Sequence, residues 1–98
     1  MDLVGLTEFL VKSIAKEPDM VSVKEFENND EEIVIQVLVN ESDIGVVIGK
    51  NGKNANAIRT IVQASSYIND KKRVRINIDS FELFFLFQKD DIILNVVY

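Results

Sequence analysis

Two glycines three residues apart, Gly49 and Gly52, separate two stretches whose apolar residues recur at helical spacing. Glycine adopts backbone conformations that other residues avoid, so this segment predicts a tight loop rather than one continuous helix. Ile44 to Ile48 forms a short helical stretch before the loop, and Asn54 to about Ile68 forms a longer helix after it. The rest of the fold must therefore be arranged around a pair of consecutive helices.

Alternating apolar residues predict three strands around this helix pair. Met20 to Glu27 alternates, and the turn cluster at residues 28–30 separates it from a second alternating run, Ile33 to Val39, so the two runs predict a β-hairpin. Arg73 to Ile78 alternates after the longer helix. The last two strands are joined by a two-helix crossover, so we expect them to pair in parallel if they are adjacent.

Apolar residues at helical spacing also predict a helix from residue 2 to about residue 16, with Asp2 as its N-cap and Pro18 beyond its end. The predicted order is α-β-β-α-α-β. It corresponds to an α+β domain over residues 1–79, with a three-stranded mixed sheet and helices packed on one face. In the longer helix we expect one buried side, formed by Ile58, Ile61, Val62, Ser65 and Ile68.

Residues 80–98 form an apolar C-terminal extension outside this plan. It contains two apolar runs, Phe81 to Phe87 and Ile92 to Tyr98. The runs are compatible with a second hairpin, a cover for the open face of the sheet, a contact with a partner, or a disordered tail. The residues alone do not decide among these.

Composition narrows the function. The 98 residues are 47% apolar, which suits one small domain. The chain has no cysteine and no histidine, so it lacks thiolate nucleophiles and the usual zinc ligands. A phosphate-binding loop at Gly45 to Asn51 has the wrong glycine spacing and no serine or threonine for magnesium. We therefore expect the protein to have no enzymatic activity and to bind no metal or cofactor. The absence of a long apolar run predicts that the chain does not span a membrane and that the protein is cytoplasmic.

Charge is strongly segregated along the chain. The net charge is −5, but residues 1–44 carry 11 acidic and 3 basic groups, whereas residues 45–75 carry 1 acidic and 7 basic groups. Lys50 and Lys53 lie within and beside the glycine loop. Glycines, two cations and a helix N-terminus together favour a site for a phosphate backbone. The alternative is that the glycines merely form a corner between two helices.

The sequence resembles a known family. Residues 1–79 are similar to a type II KH domain, and more narrowly to the small stand-alone bacterial KH proteins of the KhpA (YlqC) type. The similarity lies in Glu17 to Lys24, Asp43 to Gly52, Ala57 to Thr60, and Lys72 to Arg75. The resemblance implies a cytoplasmic single-stranded RNA-binding protein, an RNA chaperone with roles in cell shape and cell-wall homeostasis. It also implies a homodimer, or a heterodimer with a larger Jag-like protein that has its own KH domain.

In such a domain the loop residues, Gly49 to Lys53, would clamp the backbone of about four unpaired nucleotides. We expect bases to lie in an apolar groove, with Arg59 near phosphate or base and a lining formed by part of the Ile33 to Val39 strand and by Ile44, Val47, Ile48 and Ile58. An alternative function is a protein-interaction module, a KH-like dimerisation scaffold with weak or no RNA binding. Its marker is the aromatic excess in Phe81 to Phe87.

Overall fold

The hairpin and the crossover strand form one sheet in the computed structural model, which describes residues 2–86. In chain order, the helices and strands are α1 (Leu3–Ile14), β1 (Ser22–Asn28), β2 (Glu32–Val39), α2 (Ile44–Ile48), α3 (Lys53–Asn69) and β3 (Arg73–Ser80). Short 3₁₀ turns occur at Pro18–Met20, Glu41–Asp43 and Lys50–Gly52. Within residues 2–86, no helix combines the length and the apolar character needed to cross a membrane.

The sheet has the order β1-β2-β3, with β2 in the centre. β1 pairs with β2 antiparallel, and β3 pairs with β2 in parallel from Glu32 opposite Arg73 to Val39 opposite Ser80. The parallel pair is possible because α2 and α3 carry the chain back to the start of β2. The predicted α+β architecture, element order and three-stranded mixed sheet are therefore confirmed.

The first helix begins and ends where the sequence predicts. The Asp2 carboxylate accepts a hydrogen bond from the Gly5 N–H at 2.7 Å, which is the expected N-cap. The helix ends at Ile14, and Pro18 opens the 3₁₀ turn that follows. Because proline fixes its own φ and lacks an N–H, it suits this first position of a turn.

One face of the sheet carries the hydrophobic core. Ile33, Ile35 and Val37 of β2 are buried, and the three helices cover them. Val11 of α1 and Val62 of α3 are completely buried in the same cluster. The alternation in the sequence thus predicts the core face of β2 correctly, since successive side chains of a strand point to opposite faces.

The buried side of α3 differs from the predicted one. Ile58 and Val62 are buried and Ser65 is half-buried, but Ile61 and Ile68 remain 46% and 79% exposed. The prediction that Ile61 and Ile68 face the core is therefore wrong.

Small and polar residues set the rotation of α3. Ala55 and Ser66 are buried in place of the isoleucines. The Ser66 hydroxyl donates to the Lys72 carbonyl at 2.7 Å, and the Gln63 side chain bonds to both Val74 and Lys72. These bonds hold the Ser66 side of α3 against the segment that leads into β3. Ile61 and Ile68 therefore point away from that segment.

The start of the C-terminal extension is helical. Residues 81–86 form helix immediately after β3, and the Leu83 N–H donates to the Ser80 hydroxyl at 3.1 Å. A hairpin strand over these residues is therefore not observed. The second apolar run, Ile92 to Tyr98, lies outside the described residues.

A buried carboxylate links the start of α2 to the end of α1. Asp43 is completely buried, and its two oxygens accept hydrogen bonds from the Lys16 and Glu17 N–H groups, each at 2.9 Å. The cap-type residues of 40–43 predict a helix cap, but Asp43 makes no cap bond to its own helix. It instead satisfies two amides more than twenty residues away, which fixes the chain before β1 relative to α2.

Replacing this carboxylate should destabilise the fold. In Asp43→Ala, two poorly solvated N–H groups lose their acceptors, so we expect the free energy of unfolding to fall by about 2–4 kcal/mol. Asp43→Asn keeps the shape but only one acceptor oxygen, and should lie between the native protein and Asp43→Ala. Urea unfolding would measure these changes, with the exposed Asp19→Ala as a control that stays within about 0.5 kcal/mol. A loss below 0.5 kcal/mol in Asp43→Ala would contradict this role.

Candidate nucleic-acid interface

The glycine loop has an unusual backbone. Gly49 lies at φ +79° and ψ 167°, Asn51 at φ +57° and ψ 25°, and Gly52 at φ +75° and ψ 14°. Asparagine tolerates positive φ better than most residues, which suits Asn51 to its position. The Gly52 N–H donates to the Gly49 carbonyl at 3.0 Å and closes the turn. The predicted tight loop between two helices is therefore present.

A close contact between Gly49 and Asn54 joins the two helices. The Asn54 amide donates to the Val46 carbonyl at 2.7 Å, which ties the beginning of α3 to the last turn of α2. A Cβ at Gly49 would lie 2.8 Å from Asn54 Cγ and 2.9 Å from its backbone nitrogen. Gly49 is thus required by packing as well as by its backbone conformation. At Gly52 the nearest atom is 3.7 Å away, so only its conformation requires glycine.

The loop combines exposed cations with amide donors. Lys50, Asn51 and Lys53 are exposed. Gly52 occupies the N-cap position of α3, where it offers no side chain to cover the first N–H groups of the helix. The positive end of the helix dipole adds to the charge of the two ammonium groups. This arrangement is suited to an anion such as a phosphate group.

Beyond the loop, a groove runs between α3 and the edge of the sheet formed by β3. Its volume is about 510 Å³, which is within the usual range of ligand sites. The lining residues come from one stripe of α3 and from the first residues of β3: Arg59, Thr60, Gln63, Ala64, Tyr67, Arg73 and Val74.

Side chains of α3 hydrogen-bond to the outer edge of β3 and fix the floor of this groove. Gln63 accepts from the Val74 N–H at 2.9 Å and donates to the Lys72 carbonyl at 3.0 Å. The Arg59 guanidinium donates to the Ile76 carbonyl at 3.3 and 3.2 Å. The groove is therefore bounded by residues with defined positions rather than by freely rotating side chains.

The groove carries positive charge. A neighbouring part of it, with a volume of about 330 Å³, brings Arg59, Arg73 and Arg75 together with one acid, Glu32. Glu32 pairs with Arg75 at 3.3 Å, so its charge is balanced locally. Arg59 and Arg73 leave an excess of positive charge beside the edge of β3, as the segregation of charge along the sequence suggests.

The structure changes the predicted apolar lining. Val47 is completely buried and Ile58 is 5% exposed, and both belong to the hydrophobic core. Neither lines the groove between α3 and β3, because both face the sheet instead of solvent; their predicted part in RNA binding stays a prediction. Ile44 is half-buried against that core, while Ile48 is 37% exposed on α2.

The strand that borders the groove also differs from expectation. β2 is the central strand, so the predicted contribution of residues 33–39 to the lining is not observed. β3 lies at the edge of the sheet and borders the groove instead of β2. Gln63, Tyr67 and Arg73 line the groove although the sequence did not predict them as site residues. Arg59, Gln63 and Tyr67 recur every four residues, a spacing that places them on one side of a helix.

The three glycines of this region provide a graded test of the loop geometry. Gly45 is helical with nothing within 4 Å of an added Cβ, so Gly45→Ala should stabilise the protein by up to about 1 kcal/mol. Gly52→Ala should cost about 1 kcal/mol for its positive φ. Gly49→Ala adds a clash with Asn54, and we expect a cost of about 2–4 kcal/mol.

Urea unfolding of the three variants would measure this order. Equal stability of Gly49→Ala and Gly52→Ala would contradict the packing role of Asn54. An additional Asn54→Ala substitution in the Gly49→Ala protein should recover only part of the loss, because it removes Cγ of Asn54 but leaves the backbone nitrogen and Cβ of that residue at 2.9 and 3.0 Å from the new Cβ.

Comparisons with known proteins agree with this geometry. The family model described as the KH domain of KhpA/KhpB matches residues 5–78. The RNA-binding protein KhpA of Caldanaerobacter subterraneus subsp. tengcongensis is 45% identical over 73 residues, covering 70% of this chain and 95% of that protein. The RNA-binding protein KhpA of Clostridium perfringens is 41% identical over 69 residues, covering 70% and 91%.

A solved structure shares the fold. Era from Aquifex aeolicus aligns with a TM-score of 0.62 and 17% identity over 80% of this chain and 29% of that protein. At this identity the likeness concerns the fold alone. The match to the family model includes the glycine loop and most of β3, and the aligned segments cover 95% and 91% of the two KhpA proteins. The chain therefore belongs to the KhpA/KhpB family of KH-domain proteins.

Proposed function

We propose that this protein binds single-stranded RNA, with the loop from Gly49 to Lys53 holding the sugar-phosphate backbone. The observation that carries the proposal is that the glycine loop directly precedes α3 and that the charged groove runs beside the same helix. The loop supplies two exposed lysines, and the groove supplies Arg59 and Arg73. A KH-type loop clamps about four nucleotides and leaves their bases unpaired and accessible.

In this proposal the bases enter the groove between α3 and β3. The polar side chains Gln63 and Arg59 in this groove are already bonded to the strand edge. Binding should therefore depend more on the backbone than on sequence. Such binding is reversible and sensitive to salt, since it rests on phosphate contacts.

Low selectivity and reversible binding suit an RNA chaperone, which captures unpaired strands and releases them to refold. We propose this role for the chain in the cytoplasm. We also propose an involvement in cell shape and cell-wall homeostasis and a Jag-like partner with its own KH domain; the support for both is the resemblance to the family.

Reversing the charge of the loop should abolish RNA binding. Lys50→Asp with Asn51→Asp removes one positive charge and adds two negative charges where the backbone would lie, a net change of −3, while aspartate tolerates the positive φ of Asn51. We expect the affinity for short fluorescent single-stranded RNAs to fall at least about a hundredfold at 50 mM salt and the salt dependence to weaken. Fluorescence anisotropy at two salt concentrations would measure both.

A matched control separates local from global charge effects. Lys24→Asp with Gln36→Glu makes the same change in net charge on cross-strand neighbours of β1 and β2, away from the loop. This control should bind within about threefold of the native protein. Equal affinity of the loop variant and the native protein would contradict the backbone clamp.

A second candidate function, pairing with another copy of the chain, is favoured by the outer side of α3. Ala57, Ile61, Ala64 and Ile68 are all exposed, and their spacing of four, three and four residues is that of a coiled-coil seam. The alanines would allow two α3 helices to approach closely. We infer that this seam forms a homodimer contact and leaves the glycine loop accessible.

Charges on the seam should prevent this association. The protein with Ile61→Asp and Ile68→Asp should be monomeric at about 100 µM, whereas the native protein should be dimeric, because two apolar contacts would be replaced by like charges. Light scattering coupled to size exclusion would measure the masses. Phe9→Asp changes an exposed apolar residue of α1 and should leave the dimer intact. A monomeric native protein, or a dimeric double variant, would contradict the seam.

A further inference from the structure

An exposed tyrosine lies at the end of the groove remote from the glycine loop. The Tyr67 side chain is 60% exposed, lines the groove, and takes no part in the hydrophobic core. Hydrophobic aromatic surface left in water next to a positively charged groove is a common feature of sites that bind unpaired bases. Among the exposed aromatic side chains of residues 2–86, Tyr67 lines the charged groove, so its ring is available to a strand bound there.

The geometry places Tyr67 on the path that leads away from the loop. Arg59, Gln63 and Tyr67 recur every four residues along α3 and line one side of the groove. Fourteen residues separate Lys53 from Tyr67, about 21 Å along the helix at 1.5 Å per residue. A stacked strand advances about 3.4 Å per nucleotide, so this span corresponds to about six nucleotides. A strand held at the loop thus reaches Tyr67 beyond the nucleotides that the loop itself holds.

Neighbouring residues make this end of the groove suitable for binding a nucleotide. Gln63 is held by one hydrogen bond to Val74 of β3 and one to Lys72 just before it, so it has a fixed position in the same groove as Tyr67. Arg73 lines the same space and offers a cation for the phosphate that follows. Thr60 is small, which leaves one face of the groove open. An aromatic ring, a cation and an open approach together match the requirements of a stacked base.

We propose that Tyr67 stacks on a base of bound single-stranded RNA and extends the binding site along α3 beyond the glycine loop. This proposal rests on the proposed function, because the loop must hold the same strand. Stacking involves the face of the base, which all bases have, so Tyr67 adds affinity with little sequence preference. The Arg73 guanidinium supports the strand from the opposite wall.

The test compares binding of an eight-nucleotide single-stranded RNA to the native protein and to Tyr67 variants. Tyr67→Ala should weaken binding by about 5- to 150-fold. Tyr67→Phe keeps the ring and should bind within twofold of the native protein. Phe26→Ala removes an aromatic side chain that is 71% exposed on β1, away from the groove, and should also bind within twofold.

Tyrosine fluorescence gives an independent reading. The chain has two tyrosines and no tryptophan, so in a Tyr98→Phe background the emission comes from Tyr67 alone. RNA should quench it on binding if a base stacks on the ring. An unquenched Tyr67 at saturation, or a Tyr67→Phe protein as weak as Tyr67→Ala, would overturn stacking.

The loop variant, Lys50→Asp with Asn51→Asp, separates the two proposals. If it loses RNA binding and Tyr67→Ala binds within twofold of the native protein, the loop proposal stands and the Tyr67 proposal is overturned. If the native protein binds no RNA, or the loop variant binds as tightly as the native protein, both fall. Loss of affinity in both variants, with quenching of Tyr67, is the expected result.

Discussion

The contact between Gly49 and Asn54 determines how the two halves of the interface meet. Because Gly49 has no Cβ, the Asn54 side chain can pass beside it and donate to the Val46 carbonyl. The last turn of α2 and the first turn of α3 are thereby held at one angle, with the loop turned outward between them. The direction of α3, and hence the position of every side chain along its groove, follows from that angle.

Much of the fold could be predicted because local patterns and tertiary packing agree. The alternation of β2, the helical spacing of α1 and the parallel crossover require no knowledge of distant contacts. The rotation of α3 was predicted wrongly because hydrophobicity favours Ile61 and Ile68 as core residues. The structure buries Ser66 instead, since its hydroxyl bonds to the Lys72 carbonyl. Hydrophobic periodicity does not predict the burial of a polar residue whose side chain bonds to the backbone.

The interface was predictable in its loop and less so in its groove. The glycine spacing and the two lysines are local features of the sequence, and the structure has the loop at the position that they predict. Which strand borders the groove depends on the order of the strands, and β2 is central whereas β3 is at the edge. Residues on β2 were therefore expected in the groove, while Arg73 and Tyr67 were missed. The charge of the groove depends on both strand order and the position of α3.

The side-chain bonds along β3 have a consequence for the sheet itself. The exposed edge of a strand offers a row of amides and carbonyls to which another strand can add. Gln63 and Arg59 occupy two of those groups on β3, the Val74 N–H and the Ile76 carbonyl, and a β-bulge interrupts the register of β1 at the opposite edge. Both edges are thus poor templates for further strands. The groove can therefore stay open to solvent while the edges of the sheet remain unfavourable for the addition of strands from other molecules.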